Sequence, residues 1–394
     1  MLSAIAEGQT QIKNFLVCED TLSTLNALTE LGVKIESDGS DLLVVGEGLH
    51  GLKPPKKPLY LGNSGTSMRL LAGLLSAQSF DSQLVGDDSL MSRPMARGGK
   101  PLRLMGAKIT MHNDNYAPLV IKGGQQLKSI HYEMPVASAQ VKSALLIADL
   151  YAQGEATVVE PAVTRDHTER MLAFLRASLP SLSFPRRRES SSRTINIPGD
   201  LSTAAFFIVA TTLSTNKTLF LKNVGVNPTR MGAINILRLM GADIELQNYH
   251  DLFEPVADIK IKSAKLQGIT VPLDQISLAI DELPIIMIAA ANAVGKTSIR
   301  GAQELRVKES DRITAMAEGL KKLGIKVEEY PDGIDIEGGE FSHSATISTY
   351  NDHRIAMAFS VAQLVSTVDI QIDNRACINV SCPAFFDSLS AMRY

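Results

Sequence analysis

One pattern recurs four times along this chain, and it restricts the fold more than any other feature. An amphipathic run ends in a glycine, and an alternating apolar segment follows at once. The copies are Leu28-Thr29-Glu30-Leu31-Gly32-Val33-Lys34-Ile35, Leu102-Arg103-Leu104-Met105-Gly106-Ala107-Lys108-Ile109, Leu237-Arg238-Leu239-Met240-Gly241-Ala242-Asp243-Ile244 and Leu320-Lys321-Lys322-Leu323-Gly324-Ile325-Lys326-Val327. Each predicts a helix closed by a glycine C-cap and then a strand. The flanks repeat too. Polar helix starts near Gly65-Thr66-Ser67, Ser138-Ala139-Gln140, Pro198-Gly199-Asp200, Asp281-Glu282 and Asn351-Asp352-His353 lead into small-residue apolar helices, as at 144–150, 204–210 and 355–361. Helices apolar nearly all round belong inside a layer. The chain of 394 residues holds about six such α/β units of roughly 60–70 residues, each too small to bury its own face. The expectation is an α/β protein of two pseudo-symmetric domains, 1–198 and 199–394, with three units in each.

Two copies break the pattern. The first has no polar helix start, and Met1 to Thr10 resembles only the tail of an apolar helix, comparable to 209–218. The first unit is therefore expected to be short of a strand and a helix start, a deficit of roughly 15–40 residues against the other copies. In the third copy the Leu-Gly-x-x-Ile signal is missing. The segment from Arg176 to Arg193, basic, Ser-rich and holding two prolines, reads as an exposed loop.

Composition narrows the function classes. Lys plus Arg is 39 and Asp plus Glu is 42, a net charge of −3, which gives no support for a bulk nucleic-acid binder or a polybasic membrane binder. Aromatics make up 5 % and Trp is absent, so the core must be aliphatic. The three cysteines Cys18, Cys377 and Cys382 cannot form a disulfide framework, which fits a reducing compartment. The longest apolar run, around 283–294, is too short to span a bilayer, and no secretory signal is visible. A cytoplasmic location is expected.

The residues that could do chemistry sit at the repeat junctions. Leu61-Gly62-Asn63-Ser64-Gly65-Thr66-Ser67 opens a helix; its glycines allow either a structural turn or close approach of an anion to free N–H groups. Arg93, directly before Pro94, reads as a surface arginine or as a bidentate grip on phosphate or carboxylate. Arg165, in Thr164-Arg165-Asp166-His167, and Arg230 fall at comparable points. Ser138, Ala139 and Gln140 are capping material that occupies the same repeat position as Gly65. Asp281, at the mouth of an apolar helix, is an N-cap or a general base. In Arg306-Val307-Lys308-Glu309-Ser310-Asp311-Arg312, helical spacing would put Lys308 and Arg312 on one face, relieved by i,i+3 pairs Glu309–Arg312 and Lys308–Asp311. Arg354 stands at another helix start. Pseudo-symmetric packing would bring Arg93, Arg165, Lys308, Arg312 and Arg354 to one cleft between domains. Such a cleft calls for a small polyanionic substrate, with Asp281 and Glu309 left for proton transfer. No metal-ligand cluster or nucleotide fingerprint is apparent.

Leu-Gly-Asn-Ser-Gly-Thr at 61–66, Arg-Pro-Met at 93–95, Ser-Ala-Gln-Val-Lys-Ser-Ala at 138–144, Thr-Arg-Asp-His-Thr-Glu at 164–169, Arg-Val-Lys-Glu-Ser-Asp-Arg at 306–312 and Asp-His-Arg-Ile-Ala-Met at 352–357 together resemble the 5-enolpyruvylshikimate-3-phosphate synthase family. They do so in order and over nearly the whole chain. The Ala139 and Arg165 variants are similar to the bacterial class whose best-known members tolerate glyphosate. The resemblance implies three βαβαββ units per domain, with helices inside and sheets outside. It implies transfer of the enolpyruvyl group of phosphoenolpyruvate to the 5-hydroxyl of shikimate 3-phosphate, with release of phosphate, by a monomer with no cofactor or metal. Carried over by motif, Gly65, Arg93, Gln140, Arg312 and Arg354 meet phosphoenolpyruvate. Ser138, Ala139, Gln140, Arg165, Asp281 and Lys308 hold shikimate 3-phosphate. Asp281 takes the 5-hydroxyl proton, and Lys308 and Glu309 serve the methylene carbon. Glyphosate is expected to inhibit, since Gly65 leaves room beside phosphoenolpyruvate.

The family's Pro-Gly-Asp-Lys-Ser-x-Ser-x-Arg motif at the first helix start is absent here, and Val380 stands where some members carry a lysine. An impaired enzyme, or a remnant that only binds anionic substrates, is therefore an alternative expectation. So is the sister transferase acting on UDP-N-acetylglucosamine, although that family's reactive loop cysteine has no counterpart, since Cys18 precedes any suitable loop.

Overall fold

The glycines at the four repeat junctions all adopt left-handed backbone. Their φ values are +89° at Gly32, +105° at Gly106, +100° at Gly241 and +88° at Gly324. At each, the N–H of the next residue reaches back to the carbonyl five residues earlier: Val33 to Leu28 at 3.1 Å, Ala107 to Leu102 at 3.0 Å, Ala242 to Leu237 at 2.9 Å and Ile325 to Leu320 at 3.0 Å. This is the Schellman closure that a glycine past the helix end permits. It turns the chain out of each helix and into the strand that the alternation predicts.

The computed structural model describes residues 1–176, 192–251 and 253–392 and divides into two units, Met1–Ile197 and Pro198–Tyr394. The first unit opens with α1 (Leu2–Ile5), β1 (Glu7–Lys13), α2 (Glu19–Glu30), β2 (Lys34–Asp38) and β3 (Asp41–Glu47). Its second copy is complete: β4 (Leu59–Tyr60), α3 (Gly65–Leu75), β5 (Ser82–Val85), α4 (Asp88–Met91), α5 (Ala96–Leu104), β6 (Lys108–His112) and β7 (Tyr116–Lys122). The third gives β8 (His131–Glu133), α6 (Ala139–Asp149), β9 (Thr157–Val159) and α7 (His167–Arg176), and β10 (Ser192–Asn196) closes the unit. The stretch read as a basic loop falls largely outside the described residues. The helix tail expected over Met1 to Thr10 is confined to α1, because the alternation from Glu7 onward commits the rest to β1.

In the second copy β4 runs parallel to β5, and β7 pairs antiparallel with both β5 and β6. The order is β4-β5-β7-β6, the βαβαββ topology. The first copy's sheet has the order β10-β1-β3-β2. Here β10, parallel to β1, takes the place that β4 takes in the second.

The second unit repeats the plan. Its first copy comprises α8 (Leu201–Leu213), β11 (Thr218–Gly225), α9 (Gly232–Leu239), β12 (Asp243–Asp251) and β13 (Pro255–Lys262), and its second α10 (Leu273–Ile276), α11 (Leu283–Ala291), β14 (Lys296–Ile299), α12 (Arg312–Lys322), β15 (Lys326–Tyr330) and β16 (Gly333–Glu337). The last holds β17 (Ala345–Ile347), α13 (His353–Val365), β18 (Ile370–Ile372) and α14 (Phe385–Ser390). Parallel bridges Gly199–Val224 and Thr270–Ser298 supply the first-strand positions of the first two copies.

Within each unit the helices lie inside. All nine residues of α11 are buried, and α8, α11 and α13 pack on one another. Their apolar residues (Phe206, Ile286, Phe359 and neighbours) form the core of the second unit. The strands β6 and β7 alternate buried and accessible residues, as expected for sheets with one face on a core and one in water. In the first unit α3 packs on α6. A Cβ on Gly73 would lie 2.2 Å from the Ala144 carbonyl oxygen, so this helix pair can approach only over a glycine. The layering sends the polar helix starts to a common end of each helix cluster.

Candidate active site

The densest charge in the second unit lies where α11, α12 and α13 begin. Arg312, the first residue of α12, is 1 % exposed. A guanidinium so far from water must be paired or it costs several kcal/mol. Its Nε meets Asp352 Oδ2 at 2.8 Å and its Nη2 meets Glu309 Oε2 at 2.6 Å and Asp352 Oδ1 at 3.2 Å. Its Nη1 lies 3.4 Å from Asp281 Oδ1. Lys308 Nζ sits 3.2 Å from the same Asp281 oxygen, and Arg354 Nη1 donates to the Asp281 carbonyl at 2.8 Å. Asp281, Lys308, Glu309, Arg312 and Arg354, picked out separately in the sequence, therefore form one cluster.

Asp352 holds the cluster to the fold. It is fully buried, and as N-cap of α13 it accepts from Arg354 N at 2.9 Å while Ser310 Oγ donates to its other oxygen at 2.9 Å. Burial pushes its carboxyl up, but Arg312 outweighs burial and holds it below the ordinary carboxylate range. Burial likewise opposes the charge of Arg312, and Asp352, Glu309 and Asp281 overcome it, leaving the guanidinium above its usual value. Burial and the adjacent Arg354 and Arg312 push His353 down to about 4, so its imidazole is neutral at physiological pH.

One sequence expectation is corrected here. Lys308 is not helical: the 3₁₀ turn Gln303–Val307 ends before it, and Lys308 is extended. The i,i+3 pair Glu309–Arg312 forms, but Lys308 turns to Asp281. Asp311 instead caps α12 through Thr314 N at 3.1 Å and pairs with Arg306 at 2.7 Å. Arg306 is further committed to Glu329 at 3.0 Å. The two basic side chains still converge, because both reach the same Asp281 oxygen, which relieves their repulsion. Of the two roles open to Asp281, it does not take the N-cap one: Glu282 holds that position of α11, and the Asp281 carboxylate turns to Lys308 and Arg312.

In the first unit Ser64 caps α3, accepting from Ser67 N at 3.3 Å, and Gly65 is the first helical residue. A Cβ on Gly65 would lie 2.8 Å from Arg69 Nη1 and 3.4 Å from Arg93 Nη1, so the missing side chain is what lets both guanidiniums approach. Arg93 is buried and reaches the backbone and side chain of Asn63 and, at 3.3 Å, Ser89 Oγ. Asn63 in turn donates to Asp87 at 2.8 Å. Arg69 Nη1 donates to Gln140 Oε1 at 2.8 Å, and Gln140 Nε2 donates to Thr66 Oγ1 at 2.9 Å. Gly65, Arg93 and Gln140 thus lie in one group.

Ser138 caps α6, accepting from Val141 N at 3.4 Å, and Ala139 is the first residue of that helix. Arg165 lies half-buried two residues before α7, in a turn where Asp166 accepts from Arg170 Nε at 2.8 Å. Lys142, one turn into α6, is buried and pairs with Glu160 and Glu169, each at 2.7 Å. Burial lowers its pKa, but the two glutamates outweigh that and raise it.

Sequence reasoning missed Arg69, Lys142, Glu282 and Asp352 as parts of these networks. Arg69 and Lys142 had a usable signal, since each is a lone cation on an otherwise apolar helix one turn from a named residue. Among the described residues, no group of three His, Cys, Asp or Glu side chains could hold a metal ion.

Comparison with known proteins bears on the whole chain. Residues 1–389 match the family model described as EPSP synthase (3-phosphoshikimate 1-carboxyvinyltransferase). The chain is 50 % identical over 400 residues to the 3-phosphoshikimate 1-carboxyvinyltransferase of Methylococcus capsulatus, covering 98 % of this chain and 90 % of that protein. It is 49 % identical over 394 residues to that of Coxiella burnetii, with the same coverage. The crystal structure of EPSP synthase from Acinetobacter baumannii superposes with a TM-score of 0.84 at 47 % identity, over 99 % of this chain and 91 % of that one. The enolpyruvyl transferase NikO from Streptomyces tendae, 16 % identical, shares the fold with a TM-score of 0.71. With the repeat topology and the clusters above, these matches show that the chain belongs to the EPSP synthase (3-phosphoshikimate 1-carboxyvinyltransferase) family.

Proposed function

We propose that this chain transfers the enolpyruvyl group of phosphoenolpyruvate to the 5-hydroxyl of shikimate 3-phosphate and releases phosphate, a step of aromatic amino-acid biosynthesis. The observation that carries the site assignment is the meeting of Lys308 and Arg312 with the carboxylates of Asp281 and Glu309, beside Arg354 on the Asp281 carbonyl. Fixed cations stabilise a polyanionic transition state without reorganising, and positioned carboxylates move protons.

In this reading Asp281 accepts the proton of the 5-hydroxyl as that oxygen bonds to C2 of phosphoenolpyruvate. Lys308 and Glu309 serve the proton that arrives at C3, giving a tetrahedral adduct. The C2–O bond to phosphate then breaks, C3 gives up a proton, and the enol ether forms. Arg354 and Arg312 hold the phosphoenolpyruvate carboxylate, with Arg312 exchanging its long contact to Asp281 for the ligand. Gly65, Arg93 and Gln140 contact phosphoenolpyruvate, and Ser138, Ala139, Gln140 and Arg165 hold shikimate 3-phosphate alongside Asp281 and Lys308. The chain acts as a monomer in the cytoplasm on these small molecules. In support, no helix among the described residues is long and apolar enough to cross a membrane. The full-length likeness to transferases of this one specificity does not favour a binding-only remnant or a UDP-N-acetylglucosamine transferase.

A phosphate-release assay tests the reading. Release should require both substrates, be suppressed by glyphosate, and fall by about 10²–10⁴-fold in Asp281→Ala. Calorimetric binding of both substrates without phosphate release would sink it.

A further inference from the structure

Glu282 presents a problem that the reaction outlined above does not solve. It is 2 % exposed and stands at the mouth of α11, whose residues are all buried. A carboxylate in such surroundings persists only if it is paired and hydrogen-bonded. It holds the N-cap position, yet its side chain makes no capping bond to the helix, so capping does not account for it.

Its partners form a directed chain. Asp200 Oδ1 pairs with Arg230 Nη2 at 2.7 Å. The same nitrogen donates to Ser202 Oγ, and Ser202 Oγ donates to Glu282 Oε1. A hydroxyl that accepts from a guanidinium has its one proton left to give, so the polarity of the chain is set from Asp200 onward. At its end, Glu282 Oε1 lies 3.6 Å from Arg354 Nη1. That nitrogen also donates to the Asp281 carbonyl at 2.8 Å. The two acceptors thus engage Nη1. Among the described residues, Nε and Nη2 of Arg354 meet no protein acceptor. That pair is the side-on edge with which a guanidinium takes a carboxylate bidentately.

We propose that Glu282 is a positioning residue for the reaction: its carboxylate, held by Ser202 and Arg230, engages one nitrogen of Arg354 and so presents the opposite edge to the substrate carboxylate. The inference rests on the assignment of Arg354 to phosphoenolpyruvate. Glu282 itself touches no reacting atom, so its effect should be confined to phosphoenolpyruvate and vanish when Arg354 cannot form a fork. Lysine at that position keeps the charge and loses the fork.

Initial rates with both substrates varied test this on four variants: Glu282→Gln, Ser202→Ala, Arg354→Lys and the double variant Glu282→Gln/Arg354→Lys. Glu282→Gln should raise KM for phosphoenolpyruvate roughly 5–20-fold, the scale of weakening one charge-assisted contact. KM for shikimate 3-phosphate and kcat should stay within about threefold. Ser202→Ala should move the same constant in the same direction by less, and decides the matter if Glu282→Gln does not fold. Arg354→Lys alone should raise KM for phosphoenolpyruvate about tenfold or more, and adding Glu282→Gln to it should change little. An unchanged or lowered KM for phosphoenolpyruvate in Glu282→Gln, or full multiplication of the two effects, overturns the inference while leaving Arg354 in place. An Arg354→Lys enzyme with unaltered KM overturns the assignment of Arg354 and the inference with it.

Discussion

Arg69 donates through Nη1 to Gln140 Oε1 at 2.8 Å, joining α3 to the start of α6. The same guanidinium reaches Gly65 O at 3.3 Å and Pro94 O at 3.1 Å. One side chain therefore binds three sequence motifs that lie far apart along the chain.

Replacing Arg69 by lysine keeps the charge but not the planar fork, so the three acceptors can no longer all be met. Losing charge-assisted bonds costs about 1.5–3 kcal/mol each. The variant should lose at least about tenfold in kcat/KM, with the circular dichroism spectrum retained. Steady-state kinetics check this, and wild-type kcat/KM would show that Arg69 does not organise the site.

Lys142→Met should destabilise the first unit. It leaves the Glu160 and Glu169 carboxylates facing a buried position without their cation, at a cost of about 3 kcal/mol. This is the low end of the usual range, because Glu169 keeps 37 % side-chain exposure. For a unit of this size, thermal unfolding should fall by roughly 6–12 °C. The raised lysine pKa means the stabilisation is fully present below the ordinary lysine value and lost only as pH rises through the folded one. The deficit of the variant should therefore be constant from pH 6 to 9. Differential scanning calorimetry across that range tests it, and a deficit that disappears toward pH 6 counts against the pairing.

His353 gives the second unit an acid-side pH dependence. Its folded pKa is pushed down to about 4, below the ordinary 6.5. The unfolded chain therefore binds more protons in between, and stability is lost as pH falls through that window. The neighbours Arg354 and Arg312 oppose protonation, while Asp352 and Glu309 favour it. The net loss between pH 6.5 and 4 should be at most about 3 kcal/mol. Urea unfolding at pH 5, 6 and 7 should show this slope in the wild type and its removal in His353→Gln. Parallel pH profiles would rule out His353 as the source.

Local signals in the sequence were legible because local physics decides them. Gly32, Gly106, Gly241 and Gly324 close helices because a left-handed residue is needed there. Ser138 and Asp352 cap helices because free N–H groups need acceptors. The partners of Lys308 were not legible. Helical spacing assigns it to Asp311, but the chain is extended at Lys308 and the lysine reaches Asp281, at the mouth of α11 in the same copy. Glu282 escaped for the same reason, since its importance comes from a chain of contacts running through α8, α11 and α13, which no periodicity encodes. The pairing of β10 with β1 was equally invisible, because nothing in either segment specifies a partner so distant.

That pairing bears on how the protein comes to be made. Arg193 on β10 is buried and donates to the Glu7 carbonyl at 3.1 Å, across 186 residues of sequence. Until the ribosome has delivered β10, one side of β1 has an unsatisfied row of amide and carbonyl groups, the kind of edge that recruits stray strands. The sheet that holds β1 is thus among the last in its unit to be sealed. Contacts of such separation slow folding, so this edge is where a nascent or heat-stressed chain is most exposed to aggregation.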